Sequence, residues 1–253
     1  MVQMEPKIIF EDEWILVLDK PAGWVVNDAE TVKDTPTVQA WIAKNFDFET
    51  TKERRYRAGI VHRLDKETSG ILVIAKTTSA FEKLQAQFKN REVKKMYMAL
   101  VHGKVDPREG EIKAPVGRLP WRRDRFGVLP GGREAETVYK VDSYYTAPAT
   151  LNSLPTTHYS QLTTHHTLLT LYPKTGRTHQ IRIHLKYIGH PIVSDEFYAG
   201  RKTARKDRKW CPRLFLHASE ISFNHPKTGE ELSFRSEIPK DLKEALNNLE
   251  VSI

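Results

Sequence analysis

Cysteine is nearly absent from this chain: among its 253 residues, Cys211 is the only one. The sequence therefore excludes an intramolecular disulfide and a cysteine-based zinc site, and it is typical of a protein from a reducing compartment. No apolar run reaches the length of a membrane span. The acidic N-terminal stretch, residues 1–13, lacks the apolar core of a secretion signal. We therefore expect a cytoplasmic protein without a membrane partner.

Glycine and proline are modest in number, at 13 and 14 residues, and they are spread along the chain. With 39% hydrophobic and 28% charged residues, the composition excludes a collagen-like or wholly disordered chain and predicts a buried core. We expect a single domain over residues 1–253, with its core at about 8–240. Forty basic against 32 acidic residues give a net charge of +8, which keeps nucleic acid among the candidate partners.

Short apolar runs bounded by turn residues alternate with a few segments of helical spacing. Residues 71–74 and 93–101 have the composition of strands. We expect Ser79 to cap one helix, and Thr178 to cap another helix that ends before Gly189. Many short strands with a few interspersed helices predict an α+β fold with a mostly antiparallel sheet.

One carboxylate stands inside a dense polar segment, residues 61–70, directly before the apolar run 71–74. Asp65 follows Arg63 by two residues in this turn-like stretch. A carboxylate at the mouth of a strand can be partly desolvated and oriented, as both nucleophilic and acid–base roles require. From composition alone, however, a surface ion-pair cluster is the favoured interpretation of the segment.

A second constellation covers residues 175–184 and centres on an arginine. If the helix begins at Thr178, Arg182 lies one turn inside it and projects from a different face than Ile181 and Leu185. A guanidinium stays charged when buried and can grip a carboxylate with two hydrogen bonds. An arginine on a solvated face would have the same spacing, so the pattern leaves both interpretations open.

Ten histidines raise the question of a metal site. His158, His165 and His166 cluster in a polar stretch, whereas His179 and His184 are five residues apart and so lie on different helical faces. Neither a His-Glu-x-x-His motif nor a carboxylate-rich spacing accompanies them. Surface histidines explain the cluster, and we predict no catalytic metal.

Six segments, in order along the chain, resemble motifs of the RluA-type pseudouridine synthases. The resemblance as a whole extends from about residue 8 to 240, which is nearly the whole sequence. One four-residue motif would be weak evidence, but six in the same order are specific. The segments are DKPAG at 19–23, HRLD at 62–65 followed by TSG at 68–70, KMYMA at 95–99, TGRTHQIR at 175–182, GHPI at 189–192 and FLHA at 215–218.

The resemblance implies a role for each matched residue. Asp65 matches the aspartate that attacks the target nucleoside, and Arg182 matches the arginine that pairs with it. Tyr97 matches the tyrosine that stacks on the target base, and it is also a candidate for proton handling at the sugar. Arg63 matches the arginine that can fill the space left by a flipped base. His62 and Arg177, from the same motifs, are expected to contact RNA.

The resemblance also implies a fold and a reaction. The family fold is a mixed α/β catalytic domain around a long, mainly antiparallel sheet, with the active site in a central cleft and neither metal nor organic cofactor. The reaction breaks the N1–C1′ bond of uridine, rotates the base and joins C5 to C1′. Because a uracil within a helix is out of reach, the nucleotide must be flipped out. A covalent adduct with Asp65 and a glycal pathway both remain open.

Two basic segments are candidates for RNA contact. A basic loop at about 200–213 holds seven cationic residues and Trp210, and a second basic loop surrounds Trp121 and Phe126. Cations interleaved with aromatics suit phosphate contacts and base stacking, although a charge run is usually only a solvated face. The expected RNA-binding residues of the two loops are Arg205, Lys206, Arg208, Arg122 and Arg123.

The sequence departs from the family pattern in three places. Many relatives carry an N-terminal S4-type RNA-binding domain, and we expect none here because the catalytic pattern begins at about residue 8. A polar insertion at about 146–167 is longer than usual. Ser194 stands where family members often have glycine, which puts the local turn geometry in question.

The favoured hypothesis is an isomerase acting on structured RNA, with ribosomal RNA as the first choice on the resemblance alone. Transfer RNA is the alternative substrate, and a non-catalytic RNA-binding protein that retains the fold is the alternative class. A carboxylate-dependent hydrolase would need a second acid near Asp65, for which Glu67 is the candidate. We expect a monomer that binds RNA and not DNA.

Overall fold

The computed structural model describes residues 4–28, 35–120, 122–148 and 165–252, without the side chains of Arg123 and Asp124. Most of the predicted insertion, together with Trp121 and His158, lies outside the described residues. The chain divides into two compact units. The first is Met1–Lys95 with Ala218–Glu237, and the second is Met96–His217 with Ile238–Ile253.

The first unit is built on strands in the order β1, β2, β3 and β10, with β11 also on β10. The β1–β2, β2–β3 and β10–β11 pairs are antiparallel. Strand β3 is buried along all seven residues, as its apolar run predicted. In the register of β2 and β3, Lys20 pairs with Gly70, so the end of one strand lies beside the start of the other. The strands are β1 (Lys7–Glu11), β2 (Ile15–Lys20), β3 (Ser69–Ala75), β10 (Leu216–Asn224) and β11 (Glu231–Arg235).

The described residues of this unit include the α-helices α1 (Val38–Asn45) and α2 (Thr78–Asn90), with short 3-10 turns at Glu49–Thr51 and Arg54–Gly59 between them. The prediction that Ser79 caps α2 is wrong. Thr77 occupies the cap, because its backbone is extended and its hydroxyl oxygen accepts a hydrogen bond from the amide of Ala80. Ser79 therefore falls inside the first turn.

The second unit holds antiparallel strands in the order β4, β9, β8 and β12, with β5 also on β8. Thr146 and His165, at the ends of the predicted insertion, pair with each other as the last residue of β8 and the first of β9. The bounds are β4 (Lys94–His102), β5 (Glu109–Lys113), β8 (Glu136–Thr146), β9 (His165–Pro173) and β12 (Glu250–Ser252).

A hairpin and three helices complete this unit. The hairpin pairs β6 (Val116–Leu119) with β7 (Arg122–Val128), and the helices are α3 (Gln180–Tyr187), α4 (Arg201–Asp207) and α5 (Lys240–Asn247). Thr178 does not cap α3, contrary to expectation: His179 does, in a left-handed conformation (φ 55°). The helix ends before Gly189, as predicted. The segment 200–213, expected as a loop, begins with helix α4.

Each unit has its own apolar core. In the first, Phe81 and Leu84 of α2 pack against residues of β2 and β3. In the second, residues of β4, β8 and β9 pack with Leu185 of α3 and Leu242 of α5. Antiparallel strands covered by a few helices confirm the predicted α+β class. Among the described residues, no helix has the length and apolar character that crossing a membrane requires.

Gly70, the second residue of β3, has a backbone conformation that favours glycine (φ 115°). A methyl group at this position would overlap the carbonyl oxygen of Ala218 on β10. The neighbouring backbone can approach this closely only because the residue has no side chain. Gly229, in the same unit, also has a positive φ (78°), but a methyl group there would meet no atom within 4 Å.

We predict that Gly70→Ala lowers the free energy of unfolding by about 3 kcal/mol or more, because backbone overlap adds to the cost of the positive φ. Gly229→Ala carries only the conformational part, about 1 kcal/mol. Urea unfolding followed by circular dichroism measures both values. Equal losses in the two variants would contradict the close approach of β3 and β10 at Gly70.

Candidate active site

Asp65 lies in a short turn that leads into β3 in the first unit. The amide of Thr68 donates a hydrogen bond of 3.1 Å to the carbonyl oxygen of Asp65, which closes the turn. Leu64 is buried and anchors the turn, whereas Asp65 itself is only half-buried. The carboxylate is thus presented from a fixed backbone and retains access to solvent. Arg63 is exposed and Glu67 half-buried on either side of it.

A buried ammonium group holds this turn from the next strand. Lys20, fully buried at the end of β2, donates from Nζ to the carbonyl oxygens of Pro21 (2.9 Å), Trp24 (3.0 Å) and Lys66 (3.3 Å). The amide of Gly23 donates to the same carbonyl of Lys66 at 2.8 Å. The 19–23 motif is therefore tied to the residue after Asp65.

The sequence analysis placed Lys20 in a motif but assigned it no function. The sequence did contain a signal for this function. Lysine is seldom fully buried, so a lysine at the end of an apolar strand, directly before a Pro-Ala-Gly turn, indicates a role other than packing. Carbonyl oxygens compensate a buried ammonium group, because their dipoles replace the water that burial removes. Lys20 therefore acts as a positioning residue for the turn of Asp65.

His62 has a structural contact within the same unit. Its Nε2 accepts a hydrogen bond of 2.9 Å from the amide of Val73, and its ring stacks on Phe88 with ring centroids 4.8 Å apart. Removal from solvent, with a smaller contribution from the nearby positive charge of Lys95, lowers the pKa of His62 to about 3. His62 is therefore neutral at pH 7, which excludes a charged contact of this ring with phosphate.

Lys95 is the basic residue beside His62, two positions before Tyr97 in the chain. Burial lowers the pKa of Lys95 to about 8. Most molecules therefore keep the ammonium charge at pH 7, and this charge disfavours protonation of His62. The pair is a further feature that the residue pattern alone did not reveal.

Tyr97 and Arg182 belong to the second unit. Tyr97 lies on β4 opposite Leu171 of β9, and its half-buried ring packs against the apolar core of the unit. Arg182 lies in the first turn of α3 and is buried. Of the two interpretations that the spacing left open, the structure therefore favours the buried guanidinium over an arginine on a solvated face; the expected pairing of Arg182 with Asp65 stays a prediction.

The carboxylate that Arg182 grips within this unit is Asp195, which sequence reasoning missed. Arg182 donates from Nε to Oδ2 of Asp195 at 2.8 Å and from Nη2 to Oδ1 at 2.9 Å. Oδ1 also accepts from the amides of Phe197 (3.0 Å) and Tyr198 (3.1 Å), and Asp195 is fully buried. The bidentate contact fixes the guanidinium plane and folds residues 195–198 into a turn around it.

Two polar side chains hold α3 against β8. Gln180 accepts from the Thr175 hydroxyl (2.7 Å) and donates to Oγ1 of Thr137 (3.1 Å). His184 contacts the same Thr137 oxygen through Nδ1 and the carbonyl oxygen of Ala114 through Nε2, both at 3.0 Å. Because the carbonyl can only accept, Nε2 carries the proton, and burial lowers the pKa of His184. These hydrogen bonds therefore prevent α3, the helix that carries Arg182, from rotating about its axis.

Aromatic rings surround the Arg182 guanidinium on its other sides. Its central carbon lies 5.0 Å from the ring centroid of Tyr198 and 5.5 Å from that of Phe197. The Tyr198 hydroxyl donates to the carbonyl oxygen of Phe126 (3.2 Å) and lies 3.0 Å from Nδ1 of His179. Both aromatic residues come from the turn that Asp195 organises.

Ser194, which replaces the glycine that relatives often have, adopts a left-handed backbone (φ 62°). Its hydroxyl donates to the carbonyl oxygen of Cys211 at 2.6 Å, and its amide donates to Oδ2 of Asp207 at 2.9 Å. The same Asp207 oxygen lies 3.0 Å from Nε2 of His102. Side-chain and backbone hydrogen bonds thus stabilise a serine where the turn geometry favours glycine.

Apart from His62 and Arg63 of the first unit, the expected RNA-contact residues belong to the second unit. Arg205, Lys206 and Arg208 are exposed on and directly after α4, which Ala204 and Asp207 anchor to the unit. Arg122 is exposed at the start of β7, and the side chain of Arg123 lies outside the described residues. Arg177 is half-buried and donates from Nε to the carbonyl oxygen of Glu134 at 3.0 Å, so part of its role is structural.

The predicted histidine cluster does not form a site in the described part of the chain. His165 is exposed, whereas His166 is buried with its ring edge-on to Trp210, at a centroid distance of 5.4 Å. Within the described ranges, no group of three or more His, Cys, Asp or Glu side chains is arranged to hold a metal ion.

Solved structures with this fold are RNA pseudouridylate synthase domains. Human RNA pseudouridylate synthase domain containing 1 aligns with a TM-score of 0.71 and 23% identity, over 98% of this chain and 89% of that protein. Human RNA pseudouridylate synthase domain containing 4 aligns with a TM-score of 0.68 and 22% identity, over 96% and 93%. At these identities the similarity establishes the fold.

Sequence similarity identifies the family as well as the fold. The family model for RNA pseudouridylate synthase matches residues 14–187. Ribosomal large subunit pseudouridine synthase D of Nitrosomonas europaea is 38% identical over 250 residues, which is 96% of this chain and 66% of that protein. An uncharacterized RNA pseudouridine synthase of Bacillus subtilis, YlyB, is 36% identical over 97% of this chain and 73% of that protein.

Fold and motifs together define an isomerase of the class that modifies RNA. The chain belongs to the RNA pseudouridylate synthase family, and the resemblance to its RluA-type members is confirmed. It spans about two thirds of the length of the Nitrosomonas relative, at 66%.

We predict that Asp195→Asn lowers the free energy of unfolding by about 3–5 kcal/mol, because it removes the negative charge that faces a buried guanidinium. Asp241 provides a matched control in the same unit. It forms an equally bidentate contact with Arg213, but its side chain is 38% exposed. Asp241→Asn should cost about 1 kcal/mol or less. Similar losses in chemical denaturation of the two variants would contradict a special role for the buried pair.

Proposed function

We propose that this chain converts uridine to pseudouridine in large-subunit ribosomal RNA, with Asp65 as its catalytic carboxylate. The ribosomal substrate is supported by the relatives of that name, which match 94–96% of this chain at 38% identity. We infer a monomer that acts in the cytoplasm on RNA and not on DNA.

The observation that carries the proposal is the clamped turn of Asp65. A carboxylate that attacks or stabilises an electron-poor C1′ must keep its position while the base leaves and returns. Lys20 and Gly23 both hold the carbonyl of Lys66, one residue away, so the turn is fixed without covering the carboxylate. A surface ion-pair cluster would not need a fully buried lysine beneath it.

The resemblance assigns the remaining catalytic roles to Arg182 and Tyr97 of the second unit. The guanidinium of Arg182 is held in one orientation by Asp195, and a guanidinium is a group that binds carboxylates and sugar or phosphate oxygens. Tyr97 is half-exposed on β4 and offers a flat, uncharged surface on which a detached uracil can rotate. During the isomerisation N1–C1′ breaks and C5–C1′ forms; the proton on C5 is released to solvent, and N1, which no longer carries the sugar, takes up a proton.

We predict that Asp65→Asn reduces the rate of C5 proton loss by about 100-fold or more, because the amide is neither a nucleophile nor a base. The measurement is tritium release from RNA labelled at uracil C5, with total RNA from a strain that lacks this protein. RNA affinity, measured by filter binding, should stay within a few-fold of the wild-type value.

Glu67→Gln is the matched control, since Glu67 is a half-buried carboxylate in the same turn. It should keep near wild-type release. Cleavage of the RNA or release of free uracil by the wild-type protein, without tritium release, would favour a hydrolase with Glu67 as its second acid. Tight RNA binding without tritium release by the wild-type protein would favour a non-catalytic RNA-binding protein. Release from transfer RNA alone would overturn the ribosomal substrate.

The cations of α4 are proposed to bind RNA phosphates. Replacement of Arg205, Lys206 and Arg208 by glutamine should lower the slope of log affinity against log salt by about 0.7–0.9 for each phosphate that the variant no longer neutralises. Replacement of Lys7, Lys44 and Lys52, three exposed lysines of the first unit, changes the net charge equally and should leave the slope unchanged. An identical slope in both triple variants would remove α4 from the interface.

A further inference from the structure

An aromatic ring beside Arg182 is exposed although the turn that carries it is well ordered by hydrogen bonds. Phe197 is 44% exposed, and across the fully described stretch from His190 to Gly200 it is the one exposed residue. Single exposed aromatic residues are common on protein surfaces, so exposure alone carries no function. The surroundings of Phe197 are what distinguish it.

The backbone of Phe197 is held from two directions. Its amide donates to Oδ1 of Asp195 at 3.0 Å, and its carbonyl oxygen accepts from Nη1 of Arg125 at 3.0 Å. Arg125 comes from β7 of the hairpin, so two separate segments of the second unit fix this position. A side chain on such a backbone is preorganised to meet a ligand, which reduces the entropy cost of binding.

Positive charge flanks the exposed ring. The central guanidinium carbons of Arg125 and Arg182 lie 5.4 Å and 5.5 Å from its centroid, and His179 approaches at 6.1 Å. On the same hairpin, Arg118 lies 4.8 Å from the ring of Phe126. A flat apolar surface beside a partly exposed arginine matches a nucleobase with its phosphate, because the base stacks on the ring while the phosphate meets the guanidinium of Arg125.

We propose that Phe197 and Arg125 form a stacking subsite for a second unpaired nucleobase of the RNA substrate, adjacent to the uridine that is modified. The inference rests on the proposed function, in which Arg182 faces the reacting nucleoside and Tyr97 takes its base. Single-stranded RNA is bound by splaying neighbouring bases onto separate aromatic side chains. Phe197, within 5.5 Å of the Arg182 guanidinium, is placed to receive the neighbour.

The subsite would contribute to binding of the RNA and not to the rate of the chemical step. Holding the neighbouring base on Phe197 keeps the strand unstacked on one side of the target, which favours a flipped uridine. Loss of the ring should therefore weaken RNA binding and leave the rate at saturating RNA largely unchanged.

The test combines a ring variant with abasic RNA. The probe is the shortest transcribed fragment of large-subunit ribosomal RNA that the wild-type protein binds in a filter-binding titration, with loop nucleotides made abasic one at a time. Phe197→Leu should weaken binding by about 10-fold, because it keeps apolar volume and removes the stacking face. One abasic position should weaken wild-type binding by a similar factor and have no further effect in Phe197→Leu.

Two further variants separate stacking from a structural effect. Phe197→Tyr retains the aromatic face and should bind like wild type. Tyr187→Leu removes another exposed aromatic ring, at the end of α3 and 60% exposed, and should bind like wild type. Additive losses at every abasic position, or weak binding by Phe197→Tyr, would overturn the proposal. The readout is binding, so absence of tritium release by the wild-type protein would refute the proposed function and leave the stacking result interpretable.

Discussion

A single buried ammonium group organises the part of the molecule from which the reactive carboxylate is presented. Lys20 lies 46 residues before Lys66 in the chain, yet its Nζ donates to the carbonyl of that residue and to two carbonyls of its own turn. A charge of this kind has no water to solvate it, so the carbonyl oxygens must stay in place around it. Because one of these carbonyls belongs to Lys66, the turn that carries Asp65 is held rigid as well.

In the second unit, a buried ion pair holds a functional side chain in place, as the buried lysine holds the turn of Asp65 in the first. The Arg182 guanidinium is buried in the first turn of α3 and bound by the Asp195 carboxylate, which in turn accepts two backbone amides from residues 197 and 198. One carboxylate therefore orients the arginine and builds the turn that brings Phe197 and Tyr198 around it. The orientation of Arg182 and the position of Phe197 therefore both depend on one buried ion pair.

Several predictions made from local sequence were confirmed by the structure, and others were wrong for identifiable physical reasons. The apolar run 71–74 forms a buried strand, and α3 ends before Gly189, as predicted. Both outcomes depend on residues that are adjacent in the sequence: a run of apolar side chains in the first case and a glycine that ends the helix in the second. The predicted caps at Ser79 and Thr178 were wrong: Thr77, with an extended backbone and a capping hydroxyl, begins α2, and His179, in a left-handed conformation without a side-chain cap, begins α3. The basic segment 200–213 contains a helix because Ala204 and Asp207 bury one side of it.

The sequence by itself determined the class of protein: the order of its motifs identified the family and singled out Asp65, Tyr97 and Arg182. Tertiary structure decided how these groups are held. The carbonyls around Lys20, the Asp195 partner of Arg182 and the pKa of His62 all depend on atoms brought together from distant positions in the chain. Motifs preserve residue identity along the chain, whereas desolvation and hydrogen-bond geometry exist only once the chain has folded.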